Sequence, residues 1–177
     1  MRNALLVVLA ALAMVGARTA QAQYVREQSK FVGPIVALNF QGSQTAYFGV
    51  NFEYMLKRDV GVGGMFRYFT YTAATFSDGG TYVFSGGVVA ATANYHFKVP
   101  QNELDPFVGA AIGVNFASGG YKNTTNTFGY KSPNYSDIVF AILAGARYFL
   151  SDRFAAVGRL AFGANYNAFE VGADFSL

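Results

Sequence analysis

His96 is the only histidine in the chain, and it is the first place to look for chemistry; it stands in Asn94-Tyr95-His96-Phe97-Lys98. One imidazole rules out a multi-histidine metal site. The absence of cysteine removes thiolate ligands, sulfur nucleophiles and disulfides as well. A Ser-His-acid triad needs a serine within hydrogen-bonding reach of the ring. On a strand the same-face neighbours lie two residues away, and here they are Asn94 and Lys98. His96 therefore reads as a hydrogen-bonded residue at a strand rim. Glu170 and Asp174 invite comparison with a carboxylate dyad, but four residues along a strand separate them by about 13 Å. No catalytic, metal-ligating or cofactor-binding residue is assigned, no cofactor is expected, and the chain reads as non-enzymatic.

These residues sit in a chain with strong period-two alternation. Eight candidate strands follow from it: Val32–Gln41, Tyr47–Leu56, Val60–Tyr71, Tyr82–Phe97, Phe107–Phe116, Ile138–Phe149, Phe154–Ala164 and Ala168–Leu177. In the last, Phe169, Val171, Ala173, Phe175 and Leu177 share one face, with Ala168, Glu170, Gly172, Asp174 and Ser176 on the other. The second sets Phe48, Val50, Phe52, Tyr54 and Leu56 against Tyr47, Gly49, Asn51, Glu53 and Met55. One face is continuously apolar and the other mostly small or polar. Residues 23–30 form a polar lead-in.

Ahead of the strands, Met1-Arg2-Asn3 is followed by the uncharged run Ala4–Ala17 and the small-residue exit Ala20-Gln21-Ala22. This is the layout of a secretory signal peptide, with cleavage expected after Ala22. Its apolar run of 14 residues is shorter than the roughly 17–25 a spanning helix needs. Residues 23–177 would form a single domain. The chain has 13 Lys+Arg against 10 Asp+Glu, and losing Arg2 and Arg18 with the leader brings them almost into balance, so nothing favours nucleic acid.

Alternation does not say which face points inward. A soluble lipocalin-like barrel would turn the apolar face in. Against this, the polar face is mostly Gly, Ala, Asn and Ser. Every lysine (Lys30, Lys57, Lys98, Lys122, Lys131) falls in the lead-in, a turn or a loop. Aromatics gather near strand ends: Phe40, Tyr47, Tyr68, Tyr71, Tyr82, Phe116 and Tyr166 at one end; Tyr54, Tyr95, Phe97, Tyr148, Phe154 and Phe175 at the other. Two aromatic girdles, tight turns at 56–59 and 150–153, and long polar connections at 72–81 and 117–136 fit a membrane barrel with short periplasmic turns. The expected fold is all-β: an eight-stranded antiparallel up-and-down transmembrane β-barrel.

With its Ala-x-Ala leader, eight alternating strands and terminal strand AFEVGADFSL, the chain resembles the small outer-membrane β-barrel family of OmpX/Ail-like and OmpW-like porin-family proteins. The resemblance implies chaperoned passage through the periplasm, insertion by the barrel-assembly machinery, and residence in the bacterial cell outer membrane. Family members commonly end on an aromatic residue; here Leu177 is terminal and Phe175 lies two positions earlier.

Within such a barrel, alternation places Arg67, Arg147 and Arg159 with Glu53, Glu170 and Asp174 in the interior. An eight-stranded lumen is barely wide enough for its own side chains. A charge network that plugs the barrel is expected, with Arg159–Asp174 as one pair. Gly61-Val62-Gly63-Gly64 and Ser85-Gly86-Gly87 lack the GKS/T ending of a phosphate loop and read as close packing. The connection 117–136, with Tyr121, Lys122, Phe128, Tyr130, Lys131 and Tyr135, is the candidate surface-contact loop. The functional expectation is a monomeric, non-enzymatic barrel for envelope structure and surface contact, with outer-membrane lipids and lipopolysaccharide as partners. Alternatives are a narrow channel for small or hydrophobic solutes and a membrane-embedded lipid-modifying enzyme using His96.

Overall fold

The computed structural model describes residues 25–40, 45–76, 80–122 and 134–177, so the expected leader at 1–22 lies outside them. Eight strands run β1 (Lys30–Asn39), β2 (Ala46–Lys57), β3 (Val60–Thr75), β4 (Thr81–His96), β5 (Leu104–Lys122), β6 (Tyr135–Ser151), β7 (Phe154–Ala164) and β8 (Ala168–Ser176). Each pairs antiparallel with its neighbour, and β8 closes onto β1. Closure satisfies the backbone hydrogen bonds that an open edge would leave bare.

The strand set agrees with the sequence reading; lengths and connections differ. β5 extends to Lys122 and β6 begins at Tyr135, so the expected loop 117–136 shrinks to residues 123–134. The expected loop 72–81 shrinks likewise to 76–80, because Ala74 pairs with Tyr82 and Thr75 with Thr81. Hydrophobic alternation stops where lipid would stop, but backbone pairing continues beyond it. β5, at 19 residues, is about 60 Å of extended chain, well beyond a strand cut to an apolar band about 25 Å tall. β3 to β6 are the long strands and β1, β2, β7 and β8 the short ones, so the wall is tall on one side.

The tight connections 58–59 and 152–153, the link 97–103 and both strand termini Lys30 and Ser176 lie at one end, here the turn end. The connections 40–45, 76–80, 123–134 and 165–167 lie at the other, the loop end. The lead-in is less polar in effect than it looked. Val25 is buried against Phe31 and Met55 at the turn end, where Gln28 N–H donates to the Met55 carbonyl at 2.8 Å.

Outside, the faces that alternate apolar are bare: Phe48, Ile112 and Ile138 are each more than 60% exposed, and Phe162, Phe169, Val171 and Phe175 are exposed too, at 40% or more. An apolar belt of this extent is far beyond what a water-facing surface tolerates. Its orientation excludes the lipocalin-like arrangement. The girdle reading needs one correction. Tyr68, Tyr95, Tyr148 and Phe175 do face outward, but Tyr47 and Tyr166 are buried in the lumen and Tyr71 packs against Phe69 and Phe84.

Candidate functional site

The lumen holds the side chains that could do chemistry. Arg67, Arg147, Arg159, Glu53, Glu170 and Asp174 all point into it and are no more than 5% exposed. They divide into two clusters stacked along the barrel.

The cluster nearer the turn end is built around one arginine. Arg147 on β6 donates from Nε to Asp174 Oδ2 at 2.6 Å and from Nη1 to Asp105 Oδ2 at 3.2 Å, and from Nη2 to Glu53. Its guanidinium also lies over the Phe31 ring, 4.4 Å from the centroid. His96, read from sequence as a rim residue, is 3% exposed and belongs to this cluster. Its Nδ1 faces both Asp105 oxygens, at 2.9 and 3.0 Å, and its Nε2 lies 3.2 Å from Glu53 Oε1. Carboxylates only accept, so both ring nitrogens donate here. Asn94 adds a donor to Glu53 Oε1 at 2.5 Å. Glycine makes the room: a Cβ at Gly61 would strike the Glu53 carboxylate, and one at Gly109 would strike the Asn94 amide.

The second cluster is built around one carboxylate. Glu170 on β8 receives Arg67 Nε at 3.0 Å and Nη2 at 3.2 Å, Arg159 Nε at 2.5 Å, and the Tyr166 hydroxyl. The other Arg67 donors go to Asn51 Oδ1 at 2.6 Å and to the carbonyls of Val50 and Phe66 at 2.9 and 2.8 Å, so all five N–H groups are used.

The expected Arg159–Asp174 pair does not form. The β7–β8 hairpin is centred earlier than Tyr166, and six residues, 162–167, separate its last paired positions. Asn165 takes a φ of 62°, and the Asn167 amide bonds both backbone groups of Gly163 at 3.0 Å. Ala161 then pairs with Ala168, Arg159 falls opposite Glu170, and Asp174 falls opposite Ala155 and turns to Arg147. Asp105 and His96, both members of the turn-end cluster, were missing from the sequence-derived network. Asp105 precedes Pro106 and reads as part of a link, yet β5 already includes it.

A third region lies above the charges at the loop end. A cavity of about 330 Å³ is walled by Asn39, Tyr47, Phe69, Tyr71, Phe84 and Asn115, among others. Tyr47 stacks on Phe69 at 4.7 Å between centroids and on Tyr166 at 6.1 Å. By contrast, the space between the two ionic clusters amounts to about 10 Å³. Of the candidate loop residues, Tyr121 and Lys122 end β5 and Tyr135 begins β6. Tyr121 meets the Phe76 ring edge-on at 5.5 Å, and the Tyr135 hydroxyl donates to Asp137 at 2.8 Å. Phe128, Tyr130 and Lys131 lie outside the described residues.

A closed eight-stranded barrel, bare and apolar outside and charged within, has counterparts of known structure. The N-terminal β-barrel domain of Pseudomonas aeruginosa OprF superposes with a TM-score of 0.57 at 19% identity, over 85% of this chain and 98% of that one. This is the fold of a small outer-membrane β-barrel. Ail, the attachment invasion locus protein of Yersinia pestis, gives 0.56 at 16% identity, over 84% of this chain and 97% of that barrel. The outer-membrane protein OprG of Pseudomonas aeruginosa gives 0.58 at 11% identity, over 88% and 99%. No family model matches this outer-membrane barrel, and no curated protein matches it either.

Proposed function

We propose that this protein is a plugged, non-conducting outer-membrane barrel, exported through its N-terminal leader, whose loop end faces outward and makes surface contacts. It serves as a monomer, inserted by the barrel-assembly machinery among outer-membrane lipids and lipopolysaccharide. The observation that carries this reading is the filled lumen. Arg67, Tyr166, Phe31, Met55, Leu143 and Glu170 are all fully buried there. The gap of about 10 Å³ between the ionic clusters has room for roughly one water. The non-enzymatic part rests on His96, whose two ring nitrogens are both engaged by carboxylates and leave neither to activate a hydroxyl. A contact role is supported by the same fold in Ail, an attachment invasion locus protein whose structure holds a heparin analogue.

Single-channel recording in planar bilayers tests the reading. The unmodified protein should insert without a steady open state. Large, stable currents would overturn the plugged barrel in favour of a channel for small solutes.

A further inference from the structure

The ionic clusters leave two buried acceptors unpaired, Asn94 Oδ1 and Asp174 Oδ1, but the space beside them is only about 10 Å³, whereas the loop-end cavity has room for a ligand. Its size, about 330 Å³, falls at the lower end of small-molecule sites, about 300–1,000 Å³. Its wall is mixed in a particular way. Four aromatic rings form a column in which Tyr47 stacks on Phe69 with 28° between planes, and Phe69 meets Tyr71 and Phe84 at 23° and 32°. Tyr71 and Phe84 are the two half-buried rings of that column. Opposite polarity comes from amides. Asn39 is committed to the Tyr47 hydroxyl at 2.7 Å, whereas Asn115 Oδ1 is buried and accepts no hydrogen bond. A buried acceptor without a donor costs stability until something donates to it.

The wall contains no lysine, arginine, aspartate, glutamate or histidine among the described residues. Among the described residues, the charges bonded to Tyr135 and Tyr166 are anionic and already held: Asp137 by the Tyr135 hydroxyl and the Ile138 N–H at 2.8 Å each, and Glu170 by Tyr166 and its arginines. An anionic ligand finds no cation in this wall. A cationic one finds rings stacked on each other where a cage would need faces converging on one centre. A purely apolar ring would leave Asn115 unsatisfied.

We propose that the loop-end cavity binds an uncharged, hydroxyl-bearing ring, a single saccharide residue. Its C–H face packs on Tyr71 and Phe84, and one hydroxyl donates to Asn115 Oδ1. The site deepens the surface-contact reading and rests on it.

The test uses the full barrel, refolded in lipid nanodiscs and isotope-labelled, with side-chain amide shifts followed during titration. Four probes separate the chemistry: methyl glucoside (neutral), glucosamine (cationic), glucuronate (anionic) and indole (apolar). Methyl glucoside should give saturable shifts at Asn115 in the millimolar range. Asn115→Leu should weaken it about tenfold, the loss of one buried hydrogen bond. Phe84→Ala, at a half-buried ring, should weaken it too and serves alone if Asn115→Leu does not fold, with heat-modifiable gel mobility reporting folding. The proposal is overturned if methyl glucoside gives no saturable shift, if both folded variants bind as well as the parent, or if glucosamine, glucuronate or indole binds more tightly. Conductance is unaffected by this result, so failure of the sugar site and failure of the plugged barrel are read separately.

Discussion

The two ionic clusters are built on opposite plans. Near the turn end, one cation serves many anions: Arg147 reaches Glu53, Asp105 and Asp174, with His96 bridging the first two. Higher up, one anion serves many donors: Glu170 receives Arg67, Arg159 and Tyr166. In each case a single residue holds together charges of like sign that would otherwise repel one another in the buried lumen. The difference lies in what the remaining members can do when the central residue goes. Around Arg147 there are three carboxylates, and among the described side chains His96 and Asn94 are left to donate to them. Around Glu170 there are arginines, and Arg67 keeps its bonds to Asn51 and two carbonyls. The turn-end cluster therefore depends more on its centre.

The largest effect should come from Arg147→Leu. Breaking a buried network on one side costs about 3–5 kcal/mol, because the stranded charges keep their desolvation penalty. Three stranded carboxylates put this variant at the top of that range, and it should lose folded, fast-migrating protein in urea titrations in lipid vesicles. Glu170→Gln comes next. The amide oxygen can still accept from one arginine, so the expected loss is about 2–3 kcal/mol, the scale of hydrogen bonds to charged groups. If Glu170→Gln proved the more damaging of the two, the ranking drawn from the two plans would be inverted, and the carboxylate would be the true keystone.

How much of this was legible beforehand depends on which physical constraint wrote it. Lipid demands an unbroken apolar face, so the outward positions of Phe48, Ile112 and Phe169 followed from alternation, and the eight strands with them. The same period placed Arg67, Arg147 and Arg159 on the opposite face. Partner choice was a different matter. Arg67 and Glu170 stand 103 residues apart on β3 and β8, and only closure of the barrel and its register bring them together. The Arg159–Asp174 expectation failed on a local detail, a hairpin centred earlier than Tyr166 and held by Asn165 and Asn167, which moved Glu170 into the place assigned to Asp174. The loop-end cavity was hidden for a related reason. Tyr47 and Tyr166 were counted with the interfacial aromatics, because both stand near strand ends where girdles are found. Tyr47, however, shares a face with Gly49, Asn51 and Glu53, and that parity was the signal that it turns inward.

The smallest effect, and the sharpest test of the comparison, belongs to Tyr166→Phe. Tyr166 is the one described residue that touches both the Glu170 cluster, through its hydroxyl, and the aromatic column, through its ring. Removing the hydroxyl leaves the stacking on Tyr47 intact and takes one donor from a carboxylate that still has two arginines. A cluster with spare donors should absorb this for about 1 kcal/mol. Urea midpoints in lipid vesicles measure the cost. Amide shifts at Asn115 and Asn39 report whether the cavity wall has moved. A small midpoint change with unmoved wall resonances fits a Glu170 cluster that tolerates loss at its edge. A loss as large as that of Glu170→Gln would mean that the tyrosine is part of the centre, and the contrast between a dependent cluster and a tolerant one would no longer hold.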